Sequence, residues 1–125
     1  MYAVSIGEFT KVKNHESKKA YRCAKRTKYV TDDASRIAED AITLLKNAGK
    51  GMRFSGMEEF GEAHGFWNDG HKCPDADPSD ECERLELEAC GNWIEKRVRE
   101  LGTGESVDLH LALESGFTEF VITGK

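Results

Sequence analysis

The first residues of the chain alternate between apolar and small or polar side chains, which predicts a β-strand. Tyr2, Val4 and Ile6 occupy every second position, so they share one face of a strand. The segment of residues 18–30 fits either helical or strand spacing. Its aromatic and β-branched residues favour a strand. We therefore predict an N-terminal β-hairpin.

The C-terminal end of the chain shows the same period of two more strictly. In residues 107–113, aliphatic side chains alternate with polar or small ones, and residues 117–123 are again rich in aromatic and β-branched side chains. Residues 114–116, Glu-Ser-Gly, are typical of a turn. These features predict a second β-hairpin.

The chain between the two predicted hairpins begins with a segment of helical spacing. Residues 34–48 place their apolar side chains on one helical face. Thr31 is the predicted N-cap, and Gly49 is expected to end the helix.

A second, longer helix is predicted to begin at Asp77-Pro78 and to end at Gly102. Proline is favoured at the first helical position, and glycine just after the last. Its apolar stripe is expected to be buried and comprises Cys82, Leu85, Ala89, Cys90, Trp93, Ile94, Val98 and Leu101.

The predicted order is therefore two strands, two main helices and two strands. Strands at both ends, with helices between them, imply an antiparallel sheet built from the N-terminal and C-terminal hairpins and packed against the helices. A chain of 125 residues is long enough to bury one core. We predict an α+β fold in a single domain spanning residues 1–125.

Composition restricts the class of protein further. The chain is 38% hydrophobic and 33% charged, and none of its apolar runs approaches the roughly 20 residues that cross a bilayer. The N-terminus lacks the basic and then apolar pattern of an export signal. We therefore expect a cytoplasmic protein without membrane association, and its four cysteines are expected to be free thiols.

Charge is distributed unevenly along the chain, whose formal net charge is −5. Residues 11–28 carry eight lysines or arginines and one acid, whereas residues 58–88 carry eleven acids and two bases. Such asymmetry concerns binding partners rather than the fold. The sequence predicts one basic and one acidic surface.

The basic surface suggests a nucleic-acid-binding module, because cations contact phosphates and interleaved aromatic rings stack on bases. As a strand, this segment would place Arg22, Ala24, Arg26 and Lys28 on one face, with Tyr21 and Tyr29 nearby. The alternative is a solvated edge strand, where lysines prevent aggregation. The predicted nucleic-acid-binding residues are Lys18, Lys19, Arg22, Lys25, Arg26 and Lys28.

Histidine and cysteine residues near the acidic region suggest a zinc site. His64, His71, Cys73 and Cys82 supply enough ligands for tetrahedral zinc. Only His71 and Cys73 are close in sequence, which is unusual for a zinc motif. The alternative is that Cys82 lies in the core and the histidines face solvent.

The acidic region also contains two adjacent large aromatics in a polar loop, which are either part of the core or an anchor for a protein partner. Its acids either solvate the loop, pair with the basic segment, or bind a protein that has a basic surface. The predicted partner-binding residues are Phe66, Trp67, Asp69, Asp75, Asp77, Asp80, Glu81 and Glu83.

The sequence contains no catalytic or cofactor motif that we can identify, so we expect a non-enzymatic module without a cofactor other than the zinc considered above. The favoured function is binding of a protein partner. In its small size, acidity and lack of motifs, the chain resembles accessory proteins of phages and mobile elements that block host machinery. This resemblance implies an anti-defence inhibitor of a host nucleic-acid-handling complex.

Overall fold

The computed structural model describes residues 1–12, 21–49, 52, 54–55 and 80–125, with the backbone alone for residues 80–83. In chain order, its elements are β1 (Tyr2–Lys11), β2 (Tyr21–Thr31), α1 (Ala34–Ala48), α2 (Asp80–Arg99), β3 (Ser106–Leu113) and β4 (Gly116–Gly124).

The four strands form one antiparallel sheet in the order β2-β1-β4-β3. Both predicted hairpins are confirmed, and β1 pairs with β4 to join them into a single sheet. Gly116 begins β4 with a φ of 157°, and a Cβ at this position would overlap the carbonyl oxygen of Phe9. Glycine is therefore needed where the C-terminal hairpin meets β1.

The two helices cover one face of this sheet, which confirms the predicted α+β fold. Every second residue of the strands points toward the helices. The buried side chains form one core that comprises Val4, Leu109, Leu111, Phe120 and Ile122 from the strands, Ala34, Ile37, Ala38, Ala41, Leu45, Cys90, Ile94 and Val98 from the helices, and Phe54.

Helix α1 begins two residues later than a Thr31 cap would allow. Strand β2 extends to Thr31, which pairs with Tyr2, so the strand occupies the predicted cap. Asp33 caps the helix instead, and its carboxylate accepts a hydrogen bond from the Arg36 N–H at 3.2 Å. Gly49 ends the helix as predicted, with a φ of 123°.

Helix α2 confirms part of the predicted apolar stripe. Cys90, Ile94 and Val98 are buried, whereas Leu85 is 48% exposed and Glu86 only 6% exposed. Residues four apart lie on one helical face, and this spacing continues from Cys90 back to Glu86. The prediction that Leu85 is buried was therefore wrong.

The ends of α2 also differ from the prediction. The helix ends at Arg99 rather than at Gly102, whose N–H donates to Glu105 Oε1 at 2.6 Å. The predicted start at Asp77-Pro78 lies outside the described residues. Neither of the described helices is long and apolar enough to cross a membrane.

Candidate functional site

The sheet face opposite the helices, called the open face below, carries the other half of the strand residues. Residues that pair across neighbouring strands share a face, so the register assigns each side chain. The open face comprises Ala3, Ser5, Gly7, Phe9 and Lys11 of β1, Tyr21, Cys23, Arg26, Lys28 and Val30 of β2, Ser106, Asp108, His110 and Ala112 of β3, and Phe117, Glu119, Val121 and Thr123 of β4.

Planar side chains from all four strands line up across this face. The His110 and Phe117 rings stack with centroids 4.8 Å apart, and the Phe117 and Phe9 rings stack at 4.6 Å. The guanidinium carbon of Arg26 lies 5.7 Å from the centroid of the Phe9 ring, within the range of a cation–π contact. These four side chains form a continuous row, called the ring row below.

The strand register explains why the ring row forms. Phe9 and Phe117 are direct partners in the β1–β4 pair, and directly opposed side chains are the closest across a sheet. His110 and Arg26 are the diagonal neighbours of these rings, since their own partners are Glu119 and Gly7. Diagonal positions remain within reach of long and aromatic side chains.

Gly7 makes room for Arg26 on the open face. A Cβ at this position would lie 2.8 Å from Cε2 of Phe9 and 3.2 Å from Nη2 of Arg26. Because glycine has no side chain there, the Arg26 side chain can extend over β1, where its Nη1 donates to Ser5 Oγ at 3.0 Å. The cation is therefore held in one position by a hydrogen bond and an aromatic contact.

A β-bulge in β2 decides which of its side chains reach the open face. Phe9 pairs with Cys23 and Glu8 pairs with Lys25, so Ala24 is the extra residue. Strict alternation would put Tyr21 and Arg26, five residues apart, on opposite faces. With the bulge they share the open face, where the Tyr21 ring contacts Phe117 edge-on at 5.1 Å.

The bulge also changes which basic side chains of β2 share a face. Arg26 and Lys28 lie on the open face, but Arg22 pairs with Thr10 and therefore points to the other side. The predicted set of Arg22, Ala24, Arg26 and Lys28 on one face was wrong, because it assumed an unbroken period of two.

Tyr29 is not available for stacking on a base, although the sequence analysis considered it together with Tyr21 as a possible stacking ring. It lies on the helix-covered face, where its hydroxyl donates to Asp40 Oδ2 at 2.6 Å and Arg36 lies 4.5 Å from its ring centroid. Burial and the hydrogen bond to Asp40 raise the pKa of Tyr29. Tyr29 therefore stays neutral and ties β2 to α1.

The charges of the open face are separated by strand. Strand β2 contributes Arg26 and Lys28 to the open face, while Arg22 and Lys25 point to the other side of the strand. The strand contains no acid, and residues 21–28 are all exposed. The acids of the open face, Asp108 and Glu119, lie on β3 and β4. Beside Lys28 lies a depression of about 390 Å³ whose lining includes Ala3, Ser5, Val30, Val121 and Thr123.

A larger groove of about 760 Å³ lies between α1 and α2. Its apolar lining includes Ile42 and Leu87, and Gly91 lets the helices approach, since a Cβ there would lie 3.3 Å from Ile42 Cγ1. Two of its charged residues, Arg84 and Glu88, pair with each other at 3.3 Å. The groove therefore lacks the single-sign charge that β2 presents.

Most of the other predicted site residues lie outside the described part of the chain, and their roles stay predictions. These are Lys18, Lys19, His64, Phe66, Trp67, Asp69, His71, Cys73, Asp75 and Asp77. Asp80, Glu81, Cys82 and Glu83 lie in the first turn of α2, where only the backbone is described. Among the described residues, no three histidines, cysteines or acids are grouped to hold a metal ion.

Sequence reasoning missed Phe9, Phe117 and His110 as parts of a site. A signal was present, because Phe9 is out of phase with the inward residues Val4 and Ile6 and an aromatic there belongs to the face expected to be polar. The pairing of Phe9 with Phe117 joins opposite ends of the chain, and alternation within a strand does not reveal it.

No protein-family model matches the chain, and no curated protein or solved structure is significantly similar to it.

Proposed function

We propose that this protein is a non-enzymatic binding module whose open face binds nucleic acid. The observation that carries the proposal is the ring row next to the exposed cations of β2. Nucleic-acid-binding surfaces combine cations for the phosphates with planar groups for the bases. Arg26 joins both features, because it belongs to β2 and to the ring row.

The net charge of the chain is −5, and negative charge repels a phosphate backbone, so the position of the acids relative to β2 matters. The open-face acids Asp108 and Glu119 lie on β3 and β4, and β4 is two strand spacings, or about 10 Å, from β2. Charges exposed to water are largely screened beyond about 8 Å at physiological ionic strength. A phosphate backbone that follows β2 therefore experiences mainly the strand's own cations.

The test is fluorescence anisotropy with a labelled mixed-sequence oligonucleotide over a range of salt concentrations. Reversing the charge of two residues together, by Arg26→Glu and Lys28→Glu, should abolish binding at 150 mM salt. Wild-type affinity should fall steeply with salt, because each phosphate contact releases counterions, with a slope of about 0.7 per contact for single strands.

The matched control reverses Lys46→Glu and Lys96→Glu, two exposed cations of the helices. It changes the net charge of the protein by the same amount and should leave most of the affinity intact. A wild-type protein that binds no oligonucleotide at about 50 mM salt, where such contacts are strongest, would exclude the proposed function.

A protein partner with a basic surface is the second proposed ligand, bound through Phe66, Trp67 and the acids up to Glu83. One described residue supports it, since Leu85 is a large apolar side chain that is 48% exposed on the acidic half of α2. Interfacial apolar side chains of this kind add affinity when they are desolvated. Affinity capture from a nuclease-treated cell lysate should retain a partner that Trp67→Ala and Leu85→Asp both lose, and retention by both variants would contradict this proposal.

A further inference from the structure

We infer that the open face selects unpaired nucleic-acid strands, with one base stacked on the Tyr21 ring and one on the Arg26 guanidinium. This inference rests on the proposed function. It adds the class of nucleic acid and two side chains that contact bases.

Tyr21 and Arg26 are the accessible planar groups of the site. Tyr21 is 40% exposed and Arg26 is also exposed, whereas Phe9, Phe117 and His110 are half-buried. The Phe117 ring lies between the stacked rings of Phe9 and His110, so its two faces are already in contact. Both aromatic rings and guanidinium planes are groups on which bases stack.

The bulge at Ala24 is what brings these two planar groups to the same face. Bulges often occur next to functional sites, where they redirect a side chain. Here the bulge places Tyr21 beside the ring row while Arg22 and Lys25 point to the other side of the strand. A strand of regular alternation would separate the ring from the fixed cation.

The spacing of the backbone positions that carry the two groups indicates an unpaired ligand. Their partners on β1, Lys11 and Gly7, are four residues apart, which corresponds to about 13 Å along a strand. Neighbouring bases in a duplex are about 3.4 Å apart, and their faces are covered by one another. Tyr21 and Arg26 can therefore both stack only on bases that have been separated, as in a single strand.

The experiment measures the affinity of the full chain for four labelled probes. These are single-stranded DNA and single-stranded RNA of the same mixed sequence, the annealed DNA duplex, and polyphosphate, which has no bases. Tyr21→Ala should weaken binding of at least one single strand about tenfold, as expected for the loss of one stacked base. Its binding of the duplex and of polyphosphate should stay within twofold of the wild type.

Two further variants separate stacking from charge and from folding. Tyr21→Phe keeps the ring and should keep the affinity, and Arg26→Lys keeps the charge but loses the planar fork, so it should weaken single-strand binding alone. Thr27→Ala is the control, because Thr27 is an exposed residue of β2 that pairs with Ile6 and therefore points away from the open face. Each variant should give the circular dichroism spectrum of the wild type, which excludes a loss of folding as the cause of weaker binding.

The outcomes are distinguishable. If both single strands bind and neither Tyr21→Ala nor Arg26→Lys changes their affinity, the inference is wrong while the proposed function stands. Equal losses for single strand and duplex also overturn it, because they indicate loss of charge rather than of stacking. If none of the nucleic-acid probes binds, the proposed function fails as well.

Discussion

The two faces of the sheet are built from alternate residues of the same four strands, yet they differ in what fixes their side chains. On the helix-covered face, Leu109, Phe120 and Ile122 are completely buried between the sheet and the helices. On the open face, Phe9 and Phe117 are only half-buried, and they are positioned by one another and by a guanidinium group.

We propose that this difference separates the face needed for folding from the face used for binding. Close packing is sufficient to explain the aliphatic side chains of the covered face. It does not explain why an arginine lies across a glycine on the open face, hydrogen-bonded to Ser5 and in contact with Phe9. Fixed but accessible planar and charged groups lose little conformational entropy when they bind a ligand, so the open face is suited to recognition.

The largest expected difference between the faces concerns two phenylalanines of β4. Phe120→Ala should cost about 3–5 kcal/mol of unfolding free energy, because Phe120 is 0% exposed and its removal leaves a cavity. Phe117→Ala should cost about 1–2 kcal/mol, since its ring contacts three other rings but remains half-buried. Urea denaturation followed by circular dichroism gives both values.

Oligonucleotide binding should be affected more by Phe117→Ala than by Phe120→Ala, the reverse of the order expected for stability. Phe117→Ala removes the central ring of the ring row and should weaken oligonucleotide binding by a protein that is still folded. If the two substitutions destabilise the fold equally, then Phe117 belongs to a second core, and the contrast between the faces disappears.

The covered face was the easier of the two to predict from the sequence. Alternation in residues 107–113 and the helical spacing of residues 34–48 are local patterns, and both correspond to observed elements. The bulge at Ala24 was not predictable in this way, because it exists only relative to β1. The burial of Glu86 instead of Leu85 likewise depends on how α2 is rotated against the core.

The candidate site was predictable only in its charge. The concentration of cations in residues 21–28 is visible in the sequence, and the structure places them on one exposed edge strand. The ring row could not be predicted from the sequence, because it requires the β1–β4 and β3–β4 registers, which join distant segments. A contact of long sequence separation leaves no periodic signal in either segment.

A smaller effect is expected at the contact between β2 and α1. Tyr29→Phe removes the hydrogen bond to Asp40 and should cost about 1 kcal/mol, less than the 1.5–3 kcal/mol typical of bonds to charged groups, because the Asp40 side chain is 41% exposed. Oligonucleotide binding should be unchanged, since Tyr29 faces the helices. A loss of binding in this variant would show that the two faces are coupled.

The hydroxyl of Tyr29 should also make the stability of the fold depend on pH. Because the folded protein raises the pKa of Tyr29, the folded state keeps this proton above pH 10, where the unfolded chain loses it. The stabilisation is therefore fully present below about pH 10 and declines above it. The decline is at most about 1.4 kcal/mol per pH unit and smaller in practice, because Tyr29 is only partly buried. Denaturation of wild type and Tyr29→Phe at pH 9 and pH 11 should show the steeper decline in the wild type.

The smallest effect on stability, with a large effect on binding, is expected for Gly7→Ala. The backbone of Gly7 does not have a positive φ, so alanine fits its conformation and should stabilise the strand by about 0.5–1 kcal/mol. The new Cβ would press on the Phe9 ring and on Arg26, so both side chains must shift, and this cost offsets the gain. We expect a net change in unfolding free energy of less than about 1 kcal/mol.

The displaced Arg26 side chain should lose its hydrogen bond to Ser5, which is visible as a changed NMR resonance of its guanidinium group, and oligonucleotide affinity should fall. The matched control is Gly91→Ala on α2, where the added Cβ lies 3.3 Å from Ile42 Cγ1. That substitution acts between the helices and should leave binding unchanged. A guanidinium that has been pushed off β1 cannot hold a stacked base in place. If Gly7→Ala nevertheless binds oligonucleotides as tightly as the wild type, the fixed position of Arg26 is not needed for recognition.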